Sequence, residues 1–249
     1  MNINKTFSYA AVALAILTFT GEANAAIALD RTRVIANGGV DSISLTISNE
    51  NKNLPYLAQS WIEDANGKKI TSPFNVLPPV QRIEPGAKSQ VKIQTSPAAH
   101  QLPQDRETLF YFNLREIPPR SKTPNTLQIA LQTRIKMFYR PQAIALDKTQ
   151  AAKGDWVEKV TLQRNGDKYV IKNASPYYLT IVEGRATAKG VPVQLTPVMV
   201  NPMAQAELQV SAGALGNSPV LTYVNDYGGR PQIQFSCGGA ACNAKLLKE

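Results

Sequence analysis

Asn125–Pro141 reads NTLQIALQTRIKMFYRP, and from Leu127 onward every second residue is apolar or nearly so: Leu127, Ile129, Leu131, Thr133, Ile135, Met137 and Tyr139. Period two is the signature of a strand with two unlike faces, not of a helix. Read as one element from Thr126 to Tyr139, it predicts a strand of roughly 45 Å, well beyond the usual five or six residues. A proline-rich approach, IPPRSKTPN over Ile117–Asn125, precedes it. A long alternating strand with such a flank presents an edge of the kind proteins normally blunt, which predicts pairing with another chain.

The rest of the chain alternates in the same way. AIALDRTRVIA (Ala26–Ala36) reads as one strand, as do DSISLTIS (Asp41–Ser48), PYLAQSWIE (Pro55–Glu63), SQVKIQT (Ser89–Thr95) and TLFYFNLRE (Thr108–Glu116). Asn66-Gly67 and Asn165-Gly166 are two-residue hairpin signals, while LPPVQRIEPG (Leu77–Gly86) mixes prolines and turn residues. No segment from Ala26 to Tyr139 has a helical apolar period. A polar stretch, Gln142–Gly154, reads as a linker or hinge. Beyond it strands are expected at Asp155–Gln163, Lys168–Lys172, Tyr177–Val182, Val191–Leu195, Glu207–Val210, Val220–Val224 and Gln232–Cys237. The pattern is all-β: two antiparallel sandwiches of immunoglobulin type with a cleft between them.

At the N-terminus, Lys5, an apolar run from Ala10 to Phe19 and the small-x-small site Ala23-Asn24-Ala25 read as a secretory leader cut after Ala25. No later run approaches the eighteen apolar residues of a spanning helix, so direct membrane insertion is not expected. Lys5 and Glu22 leave with the leader, so 26 basic and 17 acidic residues remain from the totals of 27 and 18. The basic residues are scattered through the strands, which argues against nucleic acid as a partner and leaves an acidic or carboxylate-bearing one open. In an exported chain, Cys237 and Cys242 (CGGAAC) read as a disulfide, a local staple contributing about 2 kcal/mol in the chain-entropy model. Two thiols and the single His100 do not complete a zinc set, so no metal and no cofactor is expected. His100 sits in a loop, there is no Gly-x-Ser-x-Gly elbow or phosphate loop, and no enzymatic activity is expected.

Six blocks then carry a more specific statement: LDRTR (Leu29–Arg33), NLPYLAQSWIE (Asn53–Glu63), PPVQRIEPG (Pro78–Gly86), LPQDRETLFYFNLREIPPR (Leu102–Arg120), LQTRIKMFYRP (Leu131–Pro141) and NDYGGRP (Asn225–Pro231). In order and spacing, with the terminal cysteine pair, they resemble the PapD-like periplasmic pilus chaperones. The resemblance implies two immunoglobulin-like domains set in an L or boomerang: a leader at 1–25, an N-terminal domain at 26–145 and a C-terminal domain at 150–249. It implies a periplasmic protein that stabilises pilin and adhesin subunits by donor-strand complementation and delivers them to an outer-membrane usher.

By the same resemblance, Leu127, Ile129 and Leu131 fill the subunit's groove, and Arg33 and Lys136 anchor its terminal carboxylate. Glu107, Arg140 and Asp226 form interdomain ion pairs, and Leu57, Gln59, Pro79 and Val80 dock on the usher. The free protein is open to capping its own edge as a dimer. One conflict is internal to this reading: Lys136 is even-numbered and the array odd, so a flat strand points them to opposite faces. Contact with one flat surface would need a bulge or strong twist between Gln132 and Lys136.

Competing readings make different demands. A structural pilus subunit would begin with its own alternating donor extension and lack a second sandwich. A carbohydrate-binding sandwich would expose aromatic residues on one sheet face, whereas Trp61 and Trp156 lie within expected strands and read as core.

Overall fold

In the computed structural model, residues 25–238 and 241–247 are described; the leader before Ala25 lies outside them. The first half forms β1 (Ile27–Leu29), β2 (Arg33–Asn37), β3 (Ser42–Asn49), β4 (Tyr56–Asp64), β5 (Lys69–Ile70), β6 (Phe74–Leu77), β7 (Val80–Ile83), β8 (Lys88–Thr95), β9 (Thr108–Ile117) and β10 (Gln132–Arg140). They make a four-stranded sheet, β1-β3-β8-β6, and a six-stranded sheet, β2-β10-β9-β4-β5 with β7 also on β4. Alternate residues of both sheets, among them Leu45, Ile47, Ile93, Phe74, Phe112, Leu114 and Met137, close a common core. The stretch Ala26–Ala36 is two strands, not one. Its chain changes sheets at Asp30–Thr32, so that β1 pairs antiparallel with β3 while β2 pairs parallel with β10. The turn-rich stretch Leu77–Gly86 likewise contains β7.

The second half forms β11 (Val160–Asn165), β12 (Lys168–Asn173), β13 (Leu179–Arg185), β14 (Val198–Val200), β15 (Ala204–Ser211), β16 (Val220–Tyr223), β17 (Gln232–Cys237) and β18 (Cys242–Leu246). Hydrogen bonds link them in one continuous path, β14-β13-β16-β17-β18-β11-β12-β15. That path curls around a single core, because Val200, Ile181, Leu221, Phe235, Ala244, Leu162, Ile171 and Leu208, one from each strand, belong to one buried cluster. Two expected strands are corrected. Asp155–Lys159 is a 3-10 turn that precedes β11, and Val191–Leu195 contributes only a single bridge, Val193 to Gly184. The Asn-Gly hairpins hold: Gly67 and Gly166 take φ of 80° and 59°, a conformation open to glycine without a Cβ penalty.

Gln142–Gly154 is more ordered than a bare linker. Lys148–Lys153 is a helix with a capping box, Asp147 accepting from the Gln150 N–H and Gln150 reaching back to Asp147, and it ends on left-handed Gly154. Cys237 and Cys242 are bonded as cross-strand partners of β17 and β18. No described helix is long and apolar enough to cross a membrane.

Candidate subunit-binding site

Asn125–Pro141 is not one long strand. The regular strand begins at Gln132, and residues 126–131 pair with no strand of their own chain. Only a bond from the Glu116 N–H to the Leu131 carbonyl, 3.0 Å, carries the β9 ladder one step further. Within β10 the odd residues Met137 and Tyr139 are buried in the core and Ile135 packs against it. Beyond the end of the sandwich the two-residue apolar spacing goes on in the sequence, and its members are progressively open: Leu131 is 43% exposed, Ile129 65% and Leu127 84%. Three exposed apolar side chains spaced by two along one unpaired segment are unlike the scattered surface leucines of an ordinary protein. Gln128, of opposite parity, is tied back to its own loop, donating to the Pro119 carbonyl at 2.6 Å.

One side of β10 pairs with β9 from Gln132 to Tyr139. Its other side pairs with β2 only from Lys136 to Arg140, the parallel ladder starting at Lys136 opposite Arg33. The β10 backbone before Lys136 therefore has an unpaired side, in the lane that β2 occupies further on. The β10–β9 register runs without a shift. Within β10 no bulge reconciles the parities: the odd residues Met137 and Tyr139 lie in the core while Lys136 lies on the other face.

On that other face, Arg134 lies over the Tyr111 ring at 3.4 Å and pairs with Glu63 at 2.9 Å. Lys136 follows, its Nζ donating to Thr180 Oγ1 of the second domain at 3.4 Å. Arg33 donates through Nη1 to the Val224 carbonyl at 3.1 Å, while its Nε is buried without a partner. Burial depresses Lys136 below its ordinary value and the facing Arg33 charge adds to this. Burial lowers Arg33 too, with Asp226 and Glu107 opposing. Two half-desolvated cations therefore lie side by side, an arrangement that a nearby anion would relieve.

Deeper in the cleft, Arg140 joins both domains. It meets Glu107 at 2.7 Å and grips Asp226 with two bonds of 2.7 and 2.9 Å, while the Glu107 carboxylate also accepts from the Tyr178 N–H at 2.7 Å. Burial works against the Arg140 charge, but its bonds to Asp226 and the closeness of Glu107 outweigh it and raise the pKa. Phe138 stacks on Tyr178 at 5.2 Å across the same junction. Leu57, Gln59, Pro79 and Val80 come together where β7 lies on β4: Gln59 faces Val80, and the Ser60 N–H donates to the Pro79 carbonyl. Leu57 and Val80 are 38% and 44% exposed. Trp61 is not core: it is half-buried on the outer sheet face, with Lys69 and Arg115 against its ring. Trp156 does pack against the second core.

The model of the PapD N-terminal domain, described as a pili and flagellar-assembly chaperone, matches residues 26–145, and that of the pili assembly chaperone PapD C-terminal domain matches 155–235. The chain is 47% identical to chaperone protein PapD of Escherichia coli over 248 residues, covering 99% of this chain and 100% of PapD. The chain belongs to the PapD family of pilus-assembly chaperones. Solved structures agree. The periplasmic chaperone SfaE superposes with a TM-score of 0.65 at 31% identity, over 84% of this chain and 98% of its own. A chain of the Salmonella enterica SafA pilin–SafB chaperone complex gives 0.68 at 25%, over 90% and 97%.

As a PapD-family chaperone the chain has two immunoglobulin-like domains, and contacts between them include residues that sequence reasoning did not single out. Thr180 and Val224 hold the two cations, and Phe138 and Tyr178 stack. Phe138 had a signal, since it shares the parity of Lys136 and Arg140. Thr180 and Val224 had none, because nothing local marks a residue of one domain as facing the other.

Proposed function

We propose that this chaperone completes an unfinished pilin or adhesin sandwich in the periplasm by supplying residues 126–135 as the missing strand, and passes the subunit to an outer-membrane usher. The observation that carries this is the half-empty lane beside β10, open before Lys136 and closed from Lys136 onward by β2. A chain entering that lane has its end at Arg33 and Lys136. Because the receptor is cationic, that end is a carboxylate, and the entering strand runs parallel to β10, as β2 does. Leu127, Ile129 and Leu131 then pass from water into the subunit's core, worth roughly 1.5–3 kcal/mol apiece, while backbone bonds satisfy the edge.

Glu107, Arg140 and Asp226 hold the working angle between domains, and the Leu57, Gln59, Pro79 and Val80 patch meets the usher. A second copy occupies the same lane when no subunit is present. The role requires no catalysis, no cofactor and no metal. The pilin–SafB complex among the structural relatives supports a pilin as partner. Co-expression in a bacterial periplasm tests the reading: a one-to-one complex should accumulate with a pilin that is degraded when expressed alone, and a pilin equally short-lived with and without the chaperone would contradict it.

A further inference from the structure

Past Lys136, toward the linker, the cleft opens into a cavity of about 210 Å³ walled by Phe138, Trp156, Tyr177 and Tyr223, with Arg33 on its wall and Tyr227 beside it. The rings brace one another. Trp156 meets Tyr177 and Tyr223 edge-on at 5.7 and 5.5 Å, and Tyr227 stands 75% exposed. Burial raises the Tyr177 phenol and pushes Tyr223 up to about 12, so both rings are neutral at physiological pH. The acids that also line the cavity, Glu107 and Asp226, are both engaged by Arg140. Arg33 is not so engaged: among the described residues it makes no ion pair, and its buried Nε has no acceptor. What remains is a cation with a spare donor beside an aromatic box of a size for several waters or one ring.

Resting on the donor-strand reading above, we infer that this cavity receives the side chain of the bound subunit's C-terminal residue and selects an aromatic one. The lane itself dictates this. At Arg33 the entering chain meets the start of β2 and runs no further along the sheet. On one face the space is filled by Val34 and Met137, both buried in the core. On the other lies the cavity, reached from a carboxylate seated on Arg33.

The test uses the intact protein and alternating apolar–polar peptides that differ only at their C-terminus, ending in phenylalanine, glycine or phenylalanine amide. The phenylalanine acid should bind roughly tenfold or more tightly than the glycine acid, the margin a buried aromatic side chain provides. Ala151→Phe, which fills the cavity from the linker helix, should erase that margin and leave glycine-acid affinity unchanged; Tyr227→Ala, at an exposed site, should narrow it. Equal binding of the two acids to the unmodified protein, or equal weakening of both by Ala151→Phe, would overturn the pocket while leaving the anchor standing. Undiminished binding of the amide would instead overturn the anchor. N-acetylphenylalanine alone binding as tightly as the peptide would make the cavity a small-molecule site and overturn its assignment to a subunit terminus.

Discussion

Arg33 and Lys136 are direct partners across the parallel β2–β10 ladder, two cations held side by side in a half-buried cleft with no acid between them among the described residues. Such a pair stores unfavourable desolvation in the free protein that an incoming carboxylate relieves. Replacing Lys136 by methionine should therefore leave the melting temperature unchanged or raised. Subunit capture should weaken at least tenfold, the scale of a hydrogen bond to a charged group. A lowered melting temperature with capture intact would show Lys136 to be structural.

The same pair sets a pH dependence. Burial and Arg33 hold Lys136 below the ordinary 10.5 in the free protein, whereas a bound carboxylate favours its charged form. Binding then takes up a proton above the free-state pKa, so affinity should fall as pH rises through it. NMR titration of Lys136 with and without a C-terminal peptide reads this directly: the expected shift on binding is upward, and a downward shift contradicts the anchor.

Ile129 is mostly exposed in the free protein. Ile129→Asp should change unfolding free energy by no more than about 0.5 kcal/mol and cut capture severely, since the carboxylate would enter an apolar groove. Loss of several kcal/mol on denaturant unfolding would place the side chain in its own domain's core.

Glu107 is 4% exposed and holds the equally buried Arg140, whereas the Asp226 side chain is 30% exposed. Glu107→Ala leaves a buried guanidinium short of a partner and should cost about 3–5 kcal/mol. Asp226→Ala should cost less and chiefly loosen the domains, which small-angle scattering would register as a broader distance distribution. Equal costs would mean that the two pairs are equally desolvated.

The alternation made the two faces of β10 legible in the sequence: Met137 and Tyr139 lie in the core and Lys136 on the other face, as their parity requires. Period two reports a face and not a partner, however. It ran one strand through Ala26–Ala36, where the chain changes sheets, and one through residues 126–131, where no partner exists within the chain. Val191–Leu195 alternates without finding a neighbour along its length, β14 is only three residues long, and β18 (CNAKL) has only the small Cys242 and Ala244 before Leu246 to mark its inner face. The cavity was invisible in sequence because its walls come from β2, Glu107, β10, the linker and three separate parts of the second domain.

Amide hydrogen exchange over residues 126–135, free and bound to a subunit, tests the central claim most directly. In the free monomer the amides of residues 126–131, and those of 132–135 that face away from β9, should exchange rapidly, and complex formation should protect the alternate amides that face the lane up to Lys136. A stable one-to-one complex in which these amides exchange as fast as in the free chain would contradict it.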